Sequence, residues 1–480
     1  MNIRTACAAL LLSLPALDRG PSAANLQTQD LLFFSTHKFP SKAVGDDKNT
    51  YVLTEGGVLV YDLRRKAWVD NLAAGSRIRD IRYSEERSRL YAMTEGGRAL
   101  EYNPAFRRFT DVSGSEFSSA AGGNGRVPDL TGLNLEGEWF FLGDAVRDRY
   151  MRRAPIADAR VFDYDNLWVL TSGLGPFFGS ERRKRAAPAW FGLDDPACFT
   201  IHPEGRDIWF GTCRPDGALV RASSDLSQWK VHPSHKEFGF GDGCVRDVRL
   251  WKGHVWLATD KGVVRHDLAT GRFQTFAHMQ GSTYLPVHAL HVHQGRLYAA
   301  NEEGVSYLEA PKGDFQSLPM PGNVRYAVYE LESKGKDLWA ATRFGLYVHR
   351  PEKGWASLKD VTGKDVPESY GQLVPSVRHH DTTLYWLSGH KVMRKPRGRD
   401  ASVLLERDRP FRLRVDGHFL YVAFHGGVTA FDLGRNLWTD FRLEDGIPGD
   451  RVLSLALSPG HLWIGTDRGV ARIKAGPYLP

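Results

Sequence analysis

A tryptophan or tyrosine, two small or apolar residues, a threonine and a glycine turn recur about every forty residues through this 480-residue chain. The clearest copies are Trp256-Leu-Ala-Thr259-Asp-Lys-Gly262, Trp339-Ala-Ala-Thr342-Arg-Phe-Gly345 and Trp463-Ile-Gly-Thr466-Asp-Arg-Gly469. Weaker copies begin at Tyr51, Tyr91, Trp168, Trp209, Tyr298, Tyr385 and Tyr421. A short β-rich unit cannot bury its own apolar face, so such units must stack. A period of about 40–45 residues marks propeller blades. Within one unit, four short alternating segments between Val245 and Phe276 are separated by Gly/Asp turns, which gives four antiparallel strands. The predicted fold class is all-β, a β-propeller of about ten four-stranded blades.

The last repeat stops one strand short, and Leu31–Ser35 precedes the first repeat. Pairing the two would remove open edges that invite aggregation. That closure favours one ring joined by the N-terminal strand. Because propellers commonly hold about four to eight blades, two smaller rings sharing the repeats are the alternative. One segment breaks the period: residues 111–157 read as an insertion or a degenerate blade, rich in Ser and Gly at its start.

Residues 1–24 have the layout of a secretory signal: a basic start at Arg4, an apolar run from Ala8 to Leu17, and small residues up to Ala24. The apolar run is too short to span a bilayer. Residues 25–480 are then the propeller, with a periplasmic or secreted location. Cys198 and Cys213 flank a hairpin turning at Glu204-Gly205-Arg206, so they would face each other and could be bridged in an oxidising compartment. The net charge of +7 is spread along the chain, which gives no reason to expect a nucleic-acid partner.

The end of the chain supplies a family resemblance. Glu444-Asp-Gly-Ile-Pro448, followed by Val452–Leu457 and Leu462-Trp-Ile-Gly-Thr-Asp-Arg-Gly-Val470, resembles the repeat of two-component regulator propellers. Over residues 50–475 the resemblance implies a propeller of the kind that forms the periplasmic sensing part of receptors. No membrane helix, kinase or DNA-binding segment follows the last repeat in this sequence, which predicts a stand-alone propeller, a partner for a membrane sensor and not a sensor by itself.

No motif identifies a reaction: GxSxG, HExxH, P-loop and dinucleotide fingerprints are missing from suitable contexts. His288, His291 and His293, and the pair His379-His380, lack the third ligand that a metal site needs, so no metal or cofactor is expected. Aligning the repeats on their aromatic anchors gives one sharper feature. The place of Arg249 in the first strand is held elsewhere by Arg82, His202, His291, Arg378 and Arg414, by Glu332 in one repeat and by Ala456 in the last. Flanking columns are apolar, so this column faces the other way. It would line the central channel and favour an anionic ligand or an acidic partner segment. The competing reading is that each arginine pairs locally, for example with Asp80 or Asp247. The functional expectation is an exported binding or scaffold protein. The alternative is a lyase or hydrolase acting on an exported saccharide-like substrate, for which a Tyr/His/Glu cluster at one mouth of the ring would be the sign.

Overall fold

The computed structural model describes residues 30–72, 77–106, 108–120, 124–137, 139–148, 151, 153–213, 218–233, 243–276, 278–279, 282–283, 285–322, 326–362, 373–449, 451–474, 476 and 479. The signal-like residues 1–24 lie outside them. Nine four-stranded sheets and one seven-stranded sheet make ten blades. The first strands of blades 1 to 10 are Lys42–Gly45, Ile78–Ser84, Arg153–Phe162, Cys198–Glu204, Val245–Trp251, Val287–His293, Val328–Lys334, Val377–His380, Arg412–Asp416 and Val452–Ser458.

The repeat motif has a direct physical basis. The aromatic anchor is buried in mid-strand: Trp168, Trp209, Trp256 and Trp463 are each at most 1% exposed. The threonine hydroxyl donates to the carbonyl of the turn glycine, at 2.8 Å for Thr259 to Gly262 and for Thr342 to Gly345, and at 3.0 Å for Thr466 to Gly469. Gly469 has φ +145°, and a Cβ there would stand 2.5 Å from the Phe34 carbonyl oxygen. Only glycine fits that conformation and that approach.

Leu31–Phe34 pairs antiparallel with Val470–Lys474 and supplies the missing fourth strand of blade 10. The closure expected from the termini is therefore present. The size of the ring is corrected, however. First strands of blades 4 to 10 contact one another in succession, and blade 10 returns to blade 4. The seam is fastened where Ser454 Oγ donates to the Cys198 carbonyl at 2.8 Å. The ring therefore holds seven blades, not ten.

Blades 1 to 3 form a second unit, entered after residue 34 and left before residue 198. Its first strands adjoin in the order blade 3, blade 1, blade 2. Asp158 of blade 3 accepts the Ala43 N–H of blade 1 at 3.0 Å. In the large ring, Asp247 does the same for Leu290 at 2.9 Å and Ser376 for Leu413 at 3.0 Å. In these three pairs a side chain in or beside a first strand accepts a backbone N–H of the adjoining blade.

Between blades 2 and 3 stands the irregular segment instead of a blade. It contains the capped helix Gly114–Ser119 and the short strands Asn134–Leu135, Phe140–Leu142 and Ala145–Arg147, all three of which join the blade 3 sheet. Asn124 Oδ1 accepts the Gly45 N–H at 2.9 Å, placing this segment against the inner strand of blade 1. The two units share one aromatic core, in which Phe34 meets Phe191, Phe210 and Trp229.

The expected Cys198–Cys213 bridge is corrected. A bulge between Cys198 and Thr200 shifts the hairpin register, so Cys198 faces Thr212 and lies buried against the blade 10 seam. Cys213, just past the strand end, is joined by a disulfide to Cys244 at the start of blade 5. Burial pushes the Cys198 thiol up to about 12, so it stays protonated and unreactive. Peptide mapping of non-reduced protein should find Cys213 linked to Cys244 and Cys198 alkylated only after unfolding. A Cys198 disulfide would contradict the fold described here.

Candidate functional site

Six of the seven residues holding the Arg249 place in the large ring are polar, and they meet at its axis. His202 Nδ1 lies 3.5 Å from Arg249 Nη1, and Arg249 pairs with Asp247 at 2.7 Å. Across the axis, Glu330 Oε1 accepts from Arg378 at 2.6 Å, Arg412 at 2.9 Å and Arg414 at 3.1 Å. Glu332 lies 3.3 Å from Arg378, and His291 Nε2 is 2.9 Å from Ser333 Oγ. His202, Arg249, His291, Arg378 and Arg414 are thus brought together, as the aligned column implies.

Arg82 is not among them. It belongs to blade 2 of the other unit, where its guanidinium sits over Phe117 and donates to carbonyls of Phe117, Ser118 and Ala120. Arg160, opposite Trp168 in blade 3, holds the same register place there. A gap-free alignment on the anchors passes over it because the turn between Phe162 and Asn166 is one residue longer than that between Trp251 and His254.

The channel is less basic than the column alone suggests. Burial, reinforced by Arg249, lowers His202 to about 4. Burial, with Arg249 and Arg378, lowers His291 to about 3. Both imidazoles are neutral at pH 7. Burial opposes ionisation of Glu330, yet its three arginines together hold the carboxyl well below the usual range. Glu332, buried and beside Glu330, is pushed up. Burial and the neighbouring Arg378 push Arg414 down to about 9. Arginines 249, 378, 412 and 414 face Asp247, Glu330 and Glu332, which leaves one positive charge in surplus.

Above this cluster, at the mouth where the first strands begin, lies a cavity of about 320 Å³. Phe199, Arg246, His288, Tyr329, Pro375, Phe411 and Leu453 come one from each of the seven blades, and Leu373 and Arg412 also line it. In blades 4, 5, 6, 7 and 10 that residue is the one skipped at a bulge. A bulge re-aims one side chain out of the strand alternation. Read by simple alternation, Arg246, His288 and Tyr329 fall on the apolar face. That violation in three successive repeats was the signal available in the sequence.

Two of the three polar residues are held by partners. Arg246 Nε donates to Asp260 at 2.5 Å, and Asp260 also accepts the Cys244 N–H at 3.2 Å, beside the disulfide. His288 Nε2 is 2.6 Å from Glu302 Oε1, and its ring packs 5.3 Å from that of Tyr329. Burial lowers His288 against the opposing pull of Glu302, and burial raises Tyr329. A neutral imidazole donating Nε2–H to Glu302 keeps Nδ1 as its basic nitrogen. Among the described residues, Cys213, Cys244 and Asp260 also cluster at ligand spacing, but the two sulfurs are bonded to each other.

No family model matches the chain, and no curated protein does. Its structural neighbours include extracellular domains of two-component system proteins. One is that of the putative hybrid two component system BT3049 from B. thetaiotaomicron, at TM-score 0.48 and 14% identity. It is matched over 89% of this chain and 60% of that one, so the chain spans about three fifths of that neighbour's length. The corresponding domain of BT4673 from the same organism gives TM-score 0.47 and 12% identity over 93% of this chain and 69% of that one. PorZ of Porphyromonas gingivalis, a surface component of the type-IX secretion system, gives 0.48 and 14% over 91% and 74%. At these identities the likeness concerns the stacking of four-stranded blades and says nothing of ligand or partner. Among the described residues no helix is long and apolar enough to cross a membrane.

Proposed function

We propose that this chain is an exported propeller that binds one anionic group, from a small ligand or an acidic partner segment, on the axis of its seven-blade ring. The observation that carries this reading is the charge balance: four axial arginines against three carboxylates, with both histidines neutral. Export is supported by the signal-like start and by the disulfide, which persists in oxidising compartments. A single surplus charge at the floor of a mouth favours one anionic group over a polyanion.

Binding of inorganic phosphate or acetate, followed by calorimetry on the full chain, should weaken severalfold between 50 mM and 500 mM salt. The reason is that salt anions compete for the surplus charge and that its field beyond the mouth is screened over about 10 Å at 0.1 M and over less at higher salt. Arg414→Gln, which removes the surplus charge, should abolish the binding. Binding that ignores both salt and Arg414 would remove the axial reading.

A second reading, a lyase, is favoured by one arrangement. His288 held by Glu302, with Tyr329 beside it and Arg246 near, is the mouth cluster that elimination next to a carboxylate requires: a base, a proton donor and a cation for the acid group. Turnover of a uronate-containing glycan to an unsaturated product, lost in His288→Gln, would establish it. Binding of such glycans without turnover would set it aside.

A further inference from the structure

The wall of the mouth cavity is divided in a way that specifies the body of the ligand, not only its charge. Going round the ring, blades 8, 9, 10 and 4 contribute Leu373, Pro375, Phe411, Leu453 and Phe199, an apolar arc interrupted only by Arg412 of blade 9. Blades 5, 6 and 7 contribute Arg246, His288 and Tyr329, an unbroken polar arc. Arg412 joins the two levels, since it lines the cavity and donates to Glu330 in the cluster beneath. A ligand filling this space meets mainly apolar surface on one side and polar groups on the other, with Arg246 and Tyr329 as the donors there. Two phenylalanines and a proline offer flat faces and edges, which suit a ring better than a flexible chain. The volume stands at the lower end of the roughly 300–1,000 Å³ usual for small-molecule sites, which limits the occupant to one or two rings.

We infer that the mouth cavity binds a small aromatic carboxylate, its ring against Phe199, Pro375, Phe411 and Leu453 and its carboxylate toward Arg246, Tyr329 and Arg412. This rests on the axial anion reading and adds the apolar half of the site. Arg246 is turned to Asp260 through Nε, which leaves its terminal nitrogens for a ligand oxygen. Neither phenylalanine is fully buried, so part of each ring is open to a ligand.

Calorimetric titration of the full chain with benzoate, acetate, benzamide and glucuronate tests this. Benzoate should bind about tenfold more tightly than acetate, the gain expected from burying one ring, and benzamide should bind weakly. Phe411→Ala and, independently, Phe199→Ala should bring benzoate down to the level of acetate while acetate itself is unchanged. Equal affinities for benzoate and acetate, both sensitive to salt, would overturn the inference and leave the anion reading standing. Benzamide as tight as benzoate would overturn both. Glucuronate tighter than benzoate would overturn the aromatic assignment in favour of a sugar acid.

Discussion

Replacing Glu330 by glutamine should cost about 3–5 kcal/mol of stability, because it removes one partner of a buried charge cluster and leaves the others uncompensated. Glu330 is 2% exposed and holds Arg378, Arg412 and Arg414 from three places on the axis. Its second oxygen accepts from the Ser376 hydroxyl and from the Val377 N–H at 3.3 Å, so blades 7 and 8 are joined through it. Glutamine keeps the shape but cannot neutralise three guanidinium groups. Asp111→Asn, breaking an exposed pair with Arg98 in which both side chains are more than 60% exposed, should change stability by about 0–1 kcal/mol. Urea unfolding of both variants gives the comparison. In a double-mutant cycle, Glu330→Gln with Arg378→Gln should be markedly less damaging than the sum of the two. Equal small effects for Glu330→Gln and Asp111→Asn would mean that the cluster is solvated and contributes nothing special.

This result bears on the binding site directly. The aligned column suggests that Arg378→Gln would leave the fold intact, since the position lies outside the apolar columns. The structure corrects that expectation, because Arg378 is the nearest of the three guanidinium groups to Glu330 and also meets Glu332. Arg414 makes the longest of the three contacts and its charge is the least favoured, so it is the residue to remove when binding is to be separated from folding.

The blades were legible because their signal is local. Anchor, threonine and glycine lie within one hairpin, and the hydroxyl-to-carbonyl bond that closes it needs no other part of the chain. The fourth strand of blade 10 was legible from a vacancy at one end and a strand at the other. The division into rings was not. It depends on which first strand follows which, and that is carried by single side chains such as the acceptors Asp158 and Asp247 and the donor Ser454, in a column of mixed residue types. Five residues of the aligned column meet at the axis and Arg82 does not, and carboxylates sit two places earlier, at Asp247 and Glu330, or interrupt the column at Glu332. The mouth column was hidden by a bulge. One skipped residue exchanges the faces of a strand, so Arg246 and Tyr329 looked like misplaced core residues.

Acid should destabilise this protein well before its carboxylates titrate. His37 lies 2% exposed at the junction of the two units, stacked on Trp190, and burial lowers it to about 4 even though Asp194 pulls the other way from 3.9 Å. His232 is 3% exposed beside His266 and Phe273, and burial, reinforced by His266, lowers it to about 3. His202 and His291 on the axis behave alike. In the unfolded chain a histidine titrates near 6.5. As pH falls below that value, the unfolded state takes up protons that the native state refuses until pH 4 or 3. Stability is therefore complete above pH 6.5 and declines as pH falls, by about 1.4 kcal/mol per pH unit for each such histidine. The ceiling is roughly 3 kcal/mol for His37 and about 5 kcal/mol for His232, reached at their native values. Urea midpoints measured from pH 7.5 to 5 should fall steeply, with an inflection near 6.5 rather than near 4. The double variant His37→Gln, His232→Gln should be less stable at pH 7.5 and show about half the slope below 6.5. A flat profile between pH 7.5 and 5 in the unsubstituted chain would show that these imidazoles are charged or solvated in the native state, and the tight packing described at the junction and between blades 4 and 5 would be wrong.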